Sequence, residues 1–155
     1  MAEPIIEQIA DWIKTAIHGT QDPDAMLTMR AVRPTILDWD VSHFAHADVI
    51  IEAAGMESLD KRTTASRKEL GTWMLYGIIR TLAANTAVDT VMSRLAETIR
   101  RTMLAGNANG QACGGLALNI DCPNVEYAAG EGCAAVIVTV NVTYITALAD
   151  GYTAP

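Results

Sequence analysis

The chain has 155 residues, half of them hydrophobic and 19% charged, a length that fits one domain (1–155) with its own core and a composition that excludes intrinsic disorder. A formal net charge of −7 excludes a nucleic-acid reader that works by neutralising phosphates. Three cysteines without CxxC spacing, Cys113, Cys122 and Cys133, exclude a complete disulfide framework within one chain and suit reduced thiols in a cytosolic setting.

Residues 4–18 read as a helix. Pro4 suits its first position, where a missing N–H costs nothing. Ile6, Ile9, Ile13 and Ile17 form an apolar stripe, and Gly19 is a good stop. Residues 20–25 are a polar turn. Met26 to Leu37 predicts a strand, with Pro34 marking an edge or a bulge. Residues 38–47 read as an irregular connection. Asp48 to Ala54 predicts a short strand ended by Gly55. The polar, mixed-charge stretch 56–67 reads as a long exposed loop.

Lys68 to Leu82 is apolar on both faces. Trp73, Leu75 and Ile79 lie on one side, and Met74, Tyr76 and Ile78 on the other. That pattern predicts a central strand covered on both sides, by helices or by a neighbouring subunit. Asn85-Thr86 opens a second helix, with Asp89 in capping-box position. Val88, Val91, Met92, Leu95, Ile99 and Met103 make its apolar face, and it ends near Gly106. Residues 106–115 are rich in glycine and asparagine and read as flexible. Leu116 to Ile120 and Val125 to Ala128 predict two short strands. The second turns through Gly130-Glu131-Gly132 into a final strand, Cys133 to Ala147. There Val136, Val138, Val140, Val142 and Tyr144 alternate with Ile137, Thr139, Asn141, Thr143 and Ile145, the period of a half-buried strand. The expected fold is α+β: one mainly antiparallel sheet packed against two main helices, in a single domain.

Little catalytic chemistry is legible. Asp38, Asp40, His43, His46 and Asp48 are types that can hold a transition metal. No metal-binding signature frames them, and a polar surface connection with Trp39 and Phe44 tucked under it is the plainer reading. None of the cysteines has a histidine close in sequence to act as base. The loop at 106–115 lacks the Lys-Ser/Thr of a phosphate-binding loop. Asn141-Val142-Thr143 matches a glycosylation sequon but lies inside a predicted strand. No segment reads as a signal peptide, and no apolar run reaches the ~18 residues of a membrane span. No cofactor, metal or catalytic residue is assigned, and the chain does not read as an enzyme. Charged and adaptable loops on a rigid sheet are where contacts concentrate. The candidate contact residues are therefore Glu57, Asp60, Lys61, Arg62, Arg67 and Lys68 in one loop, and Asn107, Asn109 and Gln111 in the other.

The layout resembles the tail terminator, or tail completion, proteins of long-tailed bacteriophages. The resemblance is carried by the helix EPIIEQIADWIKTAI and by Arg33-Pro34-Thr35-Ile36 entering the sheet. A polar loop follows, then the strand around Gly71-Thr72-Trp73-Met74-Leu75-Tyr76, the helix TAVDTVMSRLAETIRRTML and the closing VIVTVNVTYIT. It covers most of the chain and is one of element order and strand character, not of a diagnostic motif. The resemblance implies a non-enzymatic virion subunit, assembled in the host cytoplasm, that forms a ring, usually hexameric. Such a ring caps the tail tube, ends its polymerisation and offers the surface joined by a head–tail connector or neck protein. DNA passes through it without specific binding, and no membrane is involved. The Gly/Asn-rich segment and the turn material at 121–132 depart from that pattern and leave open another head–tail connector or neck component. A small metal- or ligand-binding α+β domain is the alternative of a different class, and a dimer paired through an exposed strand edge is a third.

Overall fold

The computed structural model describes residues 3–22, 27–61, 66–80, 82, 86–107, 111–130 and 132–147. The first helix, α1, spans Ile5–Ile17 and buries Ile5, Ile9, Ala10, Ile13 and Ile17. The 3.6-residue period of those positions gathers them on one face. Gly19, at φ 79°, turns the chain out of the helix, a conformation that costs glycine little.

Strand β1 is only Arg30–Val32, far shorter than the strand expected over Met26 to Leu37. Pro34 explains its C-terminal limit, since it has no N–H to give a ladder. Strand β2 runs Asp48–Lys61 and β3 runs Ser66–Ile79. Much of the stretch read as a loop at 56–67 is therefore the outer part of a hairpin. The register sets Glu57 opposite Leu70, Ser58 opposite Glu69 and Asp60 opposite Lys68. This arm has little core to bury, so its residues show no alternation, and polarity was mistaken for irregularity. Gly55 does not end β2. It lies at a bulge between Ala53 and Gly55, the first of two irregularities in the strand.

The second helix, α2, spans Val88–Leu104 and buries Val91, Met92, Leu95, Ile99 and Met103. It opens at Ala87 with no side-chain cap, so the capping box expected at Thr86 does not form. Asp89 instead accepts the N–H of Thr90 at 3.0 Å. Val88, expected on the buried face, is exposed. The two short strands expected between 116 and 128 are one strand, β4, Asn119–Gly130, interrupted by a bulge between Asp121 and Asn124. Pro123 lies in that bulge, the place an edge strand tolerates it. The last strand, β5, spans Cys133–Ala147 with the alternation read from sequence. It pairs back on β4 from Gly130 opposite Cys133, as the expected hairpin.

The strands form one sheet in the order β1-β2-β3-β5-β4. The β1–β2 pair is parallel and the other pairs are antiparallel, so the sheet is mixed where a mainly antiparallel one was expected. The parallel pair arises because residues 33–47 carry the chain back to start β2 beside the start of β1. Both helices pack on the same face. Their buried stripes share one core with Trp73, Leu75, Val136, Val138 and Val140.

Close approach of helix and sheet depends on Gly77 of β3. A Cβ placed there would lie 2.6 Å from Leu95 Cδ2 and 3.0 Å from Val136 Cγ2. Gly77→Ala is expected to destabilise the protein by about 1–3 kcal/mol. Thermal unfolding followed by circular dichroism would show this as a melting point lowered by several degrees.

Candidate assembly surface

The face of the sheet away from the helices has a second, smaller core at one end. Ile50, Ile78 and Ala135 are buried there beneath Trp39, Val41, Phe44 and Tyr76. The Trp39 ring meets Phe44 and Tyr76 edge-on, with centroids 5.6 Å and 5.1 Å away. Its indole N–H donates to Glu52 Oε2 at 2.7 Å. The cover expected over β3 on this side is thus supplied, at this end, by the irregular connection 38–47.

That connection is held by backbone and side-chain hydrogen bonds from the sheet. Arg80 donates from Nε to the Phe44 carbonyl at 2.8 Å and from Nη2 to the Val41 carbonyl. The Arg80 N–H donates to His46 Nδ1 at 2.9 Å. Asp48 accepts both prongs of the Arg30 guanidinium, at 2.8 Å and 2.7 Å, and the Ala45 N–H at 2.9 Å. Burial raises the Asp48 pKa, but the hydrogen bonds from Arg30 and Ala45 and the Arg30 charge outweigh it, leaving the carboxyl below its ordinary range. Asp40 caps the 3₁₀ turn Val41–His43 by accepting from Ser42, while its own N–H donates to His43 Nδ1 at 3.0 Å. The hydroxyl and N–H of Ser42 hold the Asp40 carboxyl below its ordinary range. Burial pushes the pKa of His46 down.

Four of the five residues considered as a metal site, Asp40, His43, His46 and Asp48, are thus engaged in shaping the connection. Among the described residues, no three His, Cys, Asp or Glu side chains are grouped to hold a metal ion. Two of the cysteines are held as thiols by their surroundings. Burial pushes the Cys113 thiol up to about 12 and Cys122 up to about 11, the latter against the nearby Arg100 charge. Both are buried, whereas Cys133 is half-exposed.

Beyond the Trp39 cover, the same face is a half-buried mosaic. Thr72, Met74, Thr139 and Asn141 project there. The Thr72 hydroxyl donates to Asn141 Oδ1 at 3.0 Å and the Thr139 hydroxyl contacts Met74 Sδ at 3.5 Å. Register places Glu52 and Glu57 of β2 and Asp121 and Glu126 of β4 on this face, opposite Met74, Leu70, Asn141 and Ile137. Burial, and then the charges of Glu52 and Glu126, raise the pKa of Tyr76 between them. This face is therefore acidic along both flanks, with Lys68 the residue opposite Ile145 at its far end.

The candidate contact residues are distributed as follows. Glu57 is exposed on β2, and Asp60 and Lys61 lie at the outer end of that strand. Arg62 and Asn109 lie outside the described residues. Lys68 is half-buried on β3. Arg67 points to the helix side, where it pairs with Glu69 and donates to Thr146 Oγ1 at 3.3 Å. Glu69 in turn accepts from the Tyr144 hydroxyl at 3.4 Å. Arg67, opposite Lys61 at the outer end of the arm, is thus tied to the buried Glu69 and Thr146 rather than being a free contact.

The second candidate loop is pinned where it is described. The Asn107 amide donates to the Ile120 carbonyl at 3.0 Å and accepts the Ile120 N–H at 2.9 Å. Gly106 lies under Trp12, so close that a Cβ would fall 2.4 Å from the indole. Ala112 and Ala117 exchange backbone hydrogen bonds at 2.8 Å and 3.0 Å. Gln111 is exposed. Glycine and asparagine here serve tight turns and close packing instead of freedom. Sequence reasoning missed Met56 and Tyr127, two large apolar side chains exposed on β2 and β4. Polar neighbours disguise the part of β2 that carries Met56, whereas Tyr127 lies in an expected strand whose edge position only the sheet order reveals.

No family model matches this chain, and no curated protein matches it. Among solved structures, a chain from one titled "Virion of native gene transfer agent (GTA) particle" is similar, at 8% identity and a TM-score of 0.44, over 92% of each chain. That is a likeness of outline alone.

Two measurements check this account. Asp48 has its folded-state pKa depressed, so its contribution is present above the unfolded-state value near 4 and is lost as pH falls through the folded value. Asp48→Asn should cost about 1–3 kcal/mol at pH 7 and flatten the loss of stability on acidification below about pH 4, read from denaturant unfolding across pH. A thiol reagent added to the native protein should label Cys133 quickly. Cys113 and Cys122 should react only after unfolding.

Proposed function

We propose that this protein is a structural subunit of a phage-like virion, and within it a tail terminator. In this reading it forms a ring, of six copies by analogy with the family it resembles, that caps the tail tube and ends its polymerisation. Its free side is then joined by a head–tail connector or neck protein. The observation that carries the proposal is the incomplete cover of the sheet's second face beyond the 38–47 connection. Two helices close one face, while the other face and the outer β2–β3 arm present half-buried and exposed residues to whatever lies beside them. A ring subunit has neighbours to fill such surfaces.

The charge supports the same reading. A net charge of −7, with Glu52, Glu57, Asp121 and Glu126 gathered on the face without helices, suits a channel through which DNA must pass without sticking. Function by surface complementarity also fits a chain whose cysteines and histidines are turned to packing and turns. The metal-binding alternative draws no comparable support, because Asp40 Oδ1, His46 Nδ1 and both Asp48 oxygens accept hydrogen bonds that hold the 38–47 connection and its neighbours. The whole chain acts in this proposal as a single domain located in the tail or neck.

Sedimentation and negative-stain imaging of the purified protein, alone and with tail tubes, test the proposal. Closed rings of uniform diameter, free or seated on tube ends, are expected. A monomer at high concentration that leaves tubes growing unchecked would overturn it.

A further inference from the structure

Besides the three-residue β1 at one end of the order, two strand edges have no neighbouring strand among the described residues. One is β2 beyond Ile50, because β1 pairs only with Asp48, Val49 and Ile50. The other is β4, the last strand in the order. Exposed edges are templates for adding a strand from another chain, and monomeric proteins usually block them. Here the blocking is partial. Pro123 and its bulge guard β4 over 121–124 and leave 125–130 regular. On β2, bulges near Ala54 and Leu59 bracket a regular stretch from Gly55 to Ser58.

We infer that residues 55–58 of β2 pair with residues 125–130 of β4 from a second copy, joining the sheets of adjacent subunits edge to edge. The inference rests on the ring reading and names the joint that builds it. Strand direction is the first reason for choosing a second copy. Along β2-β3-β5-β4 each pair is antiparallel, so β2 and β4 run in opposite directions. A copy placed beside the first in the same orientation therefore brings β4 against β2 antiparallel, which a ring of like-oriented subunits requires.

Side-chain chemistry is the second reason. Met56 is 58% exposed and Tyr127 is 53% exposed, each in its own unpaired stretch. Met56 lies opposite Gly71, and Tyr127 opposite Val136, so both stand on the helix side of the sheet. Joining the edges puts these two side chains on one face, where a thioether and an aromatic ring pack well. The contact is heterologous, because each copy gives β2 to one neighbour and β4 to the other. It closes if the rotation between copies divides a full turn. Glu57 and Glu126 come onto the acidic face together, a repulsion that salt screens.

The test uses the full chain with Met56→Glu and Tyr127→Glu made separately, in salt high enough to screen the paired glutamates. Mass is read by sedimentation, and folding by circular dichroism melting. Each variant should keep the wild-type circular dichroism spectrum and a cooperative melt, because both side chains are exposed in the single chain, yet sediment as one chain, without the added stability that assembly gives the wild type. Mixing them should give a 1:1 dimer and nothing larger. The Met56 variant keeps a good β4 edge, the Tyr127 variant keeps a good β2 edge, and only one sound joint can form. The dimer also shows that each variant folded with its other edge intact. If the wild type makes rings and both variants still make them, or if mixing restores nothing, this joint is wrong while the ring reading stands. Open filaments in place of rings, lost in both variants, support the joint and overturn the closed ring. A wild type that stays a single chain, with or without tubes, overturns both.

Discussion

Two helices can cover one face of a five-stranded sheet, and here both lie on the same one. The row Val136, Val138, Val140, Val142 and Tyr144 on β5, none more than 1% exposed, meets the apolar stripes of α1 and α2. Each fully buried aliphatic side chain in such a layer contributes about 1.5–3 kcal/mol. Gly77 lets α2 approach closely enough for Leu95 to sit against β3 and β5. Everything else about the molecule follows from that choice of face, because the opposite side of a sheet rich in β-branched residues still has to be managed.

Management of the second face is divided. At one end the 38–47 connection folds over Ile50, Ile78 and Ala135. Beyond the 3₁₀ turn Val41–His43 it has no regular structure, so most of its backbone groups need partners elsewhere. Arg80 satisfies two of its carbonyls, Asp48 accepts one of its N–H groups, and Trp39 is anchored on Glu52. The acidic and histidine residues that suggest a ligand site in the linear chain are the hardware of this clasp. Past the clasp, threonine, asparagine and methionine take over from aliphatic residues, a composition that tolerates water or a partner equally well. The burden of specificity then falls on the edges and on charge.

How far the sequence is legible depends on whether a residue's neighbours are local. Periodicity located α1, β5 and the inner part of β3 because their buried partners repeat at the helix or strand spacing. It failed on the outer β2–β3 arm, where Glu57, Ser58 and Asp60 face residues that carry no alternation because little core lies there to impose it. It failed on the Gly/Asn-rich segment for the opposite reason. Asn107 is tied to Ile120 and Gly106 is packed under Trp12, and both partners are distant in sequence. Polarity and glycine content are local signals of a loop, but they do not say whether tertiary contacts hold that loop still.

By itself, then, the sequence determined the two amphipathic helices, the closing hairpin, the aliphatic core and the acidic balance, since each is written in the order and type of neighbouring residues. Tertiary structure alone decided that both helices share a face and that β1 joins β2 in parallel. It also decided that the 38–47 segment covers the second face, and that Met56 and Tyr127 remain exposed on unpaired edges. These are matters of which distant segments meet, and hydrophobic burial selects such meetings through the packing of whole elements, which no local pattern encodes.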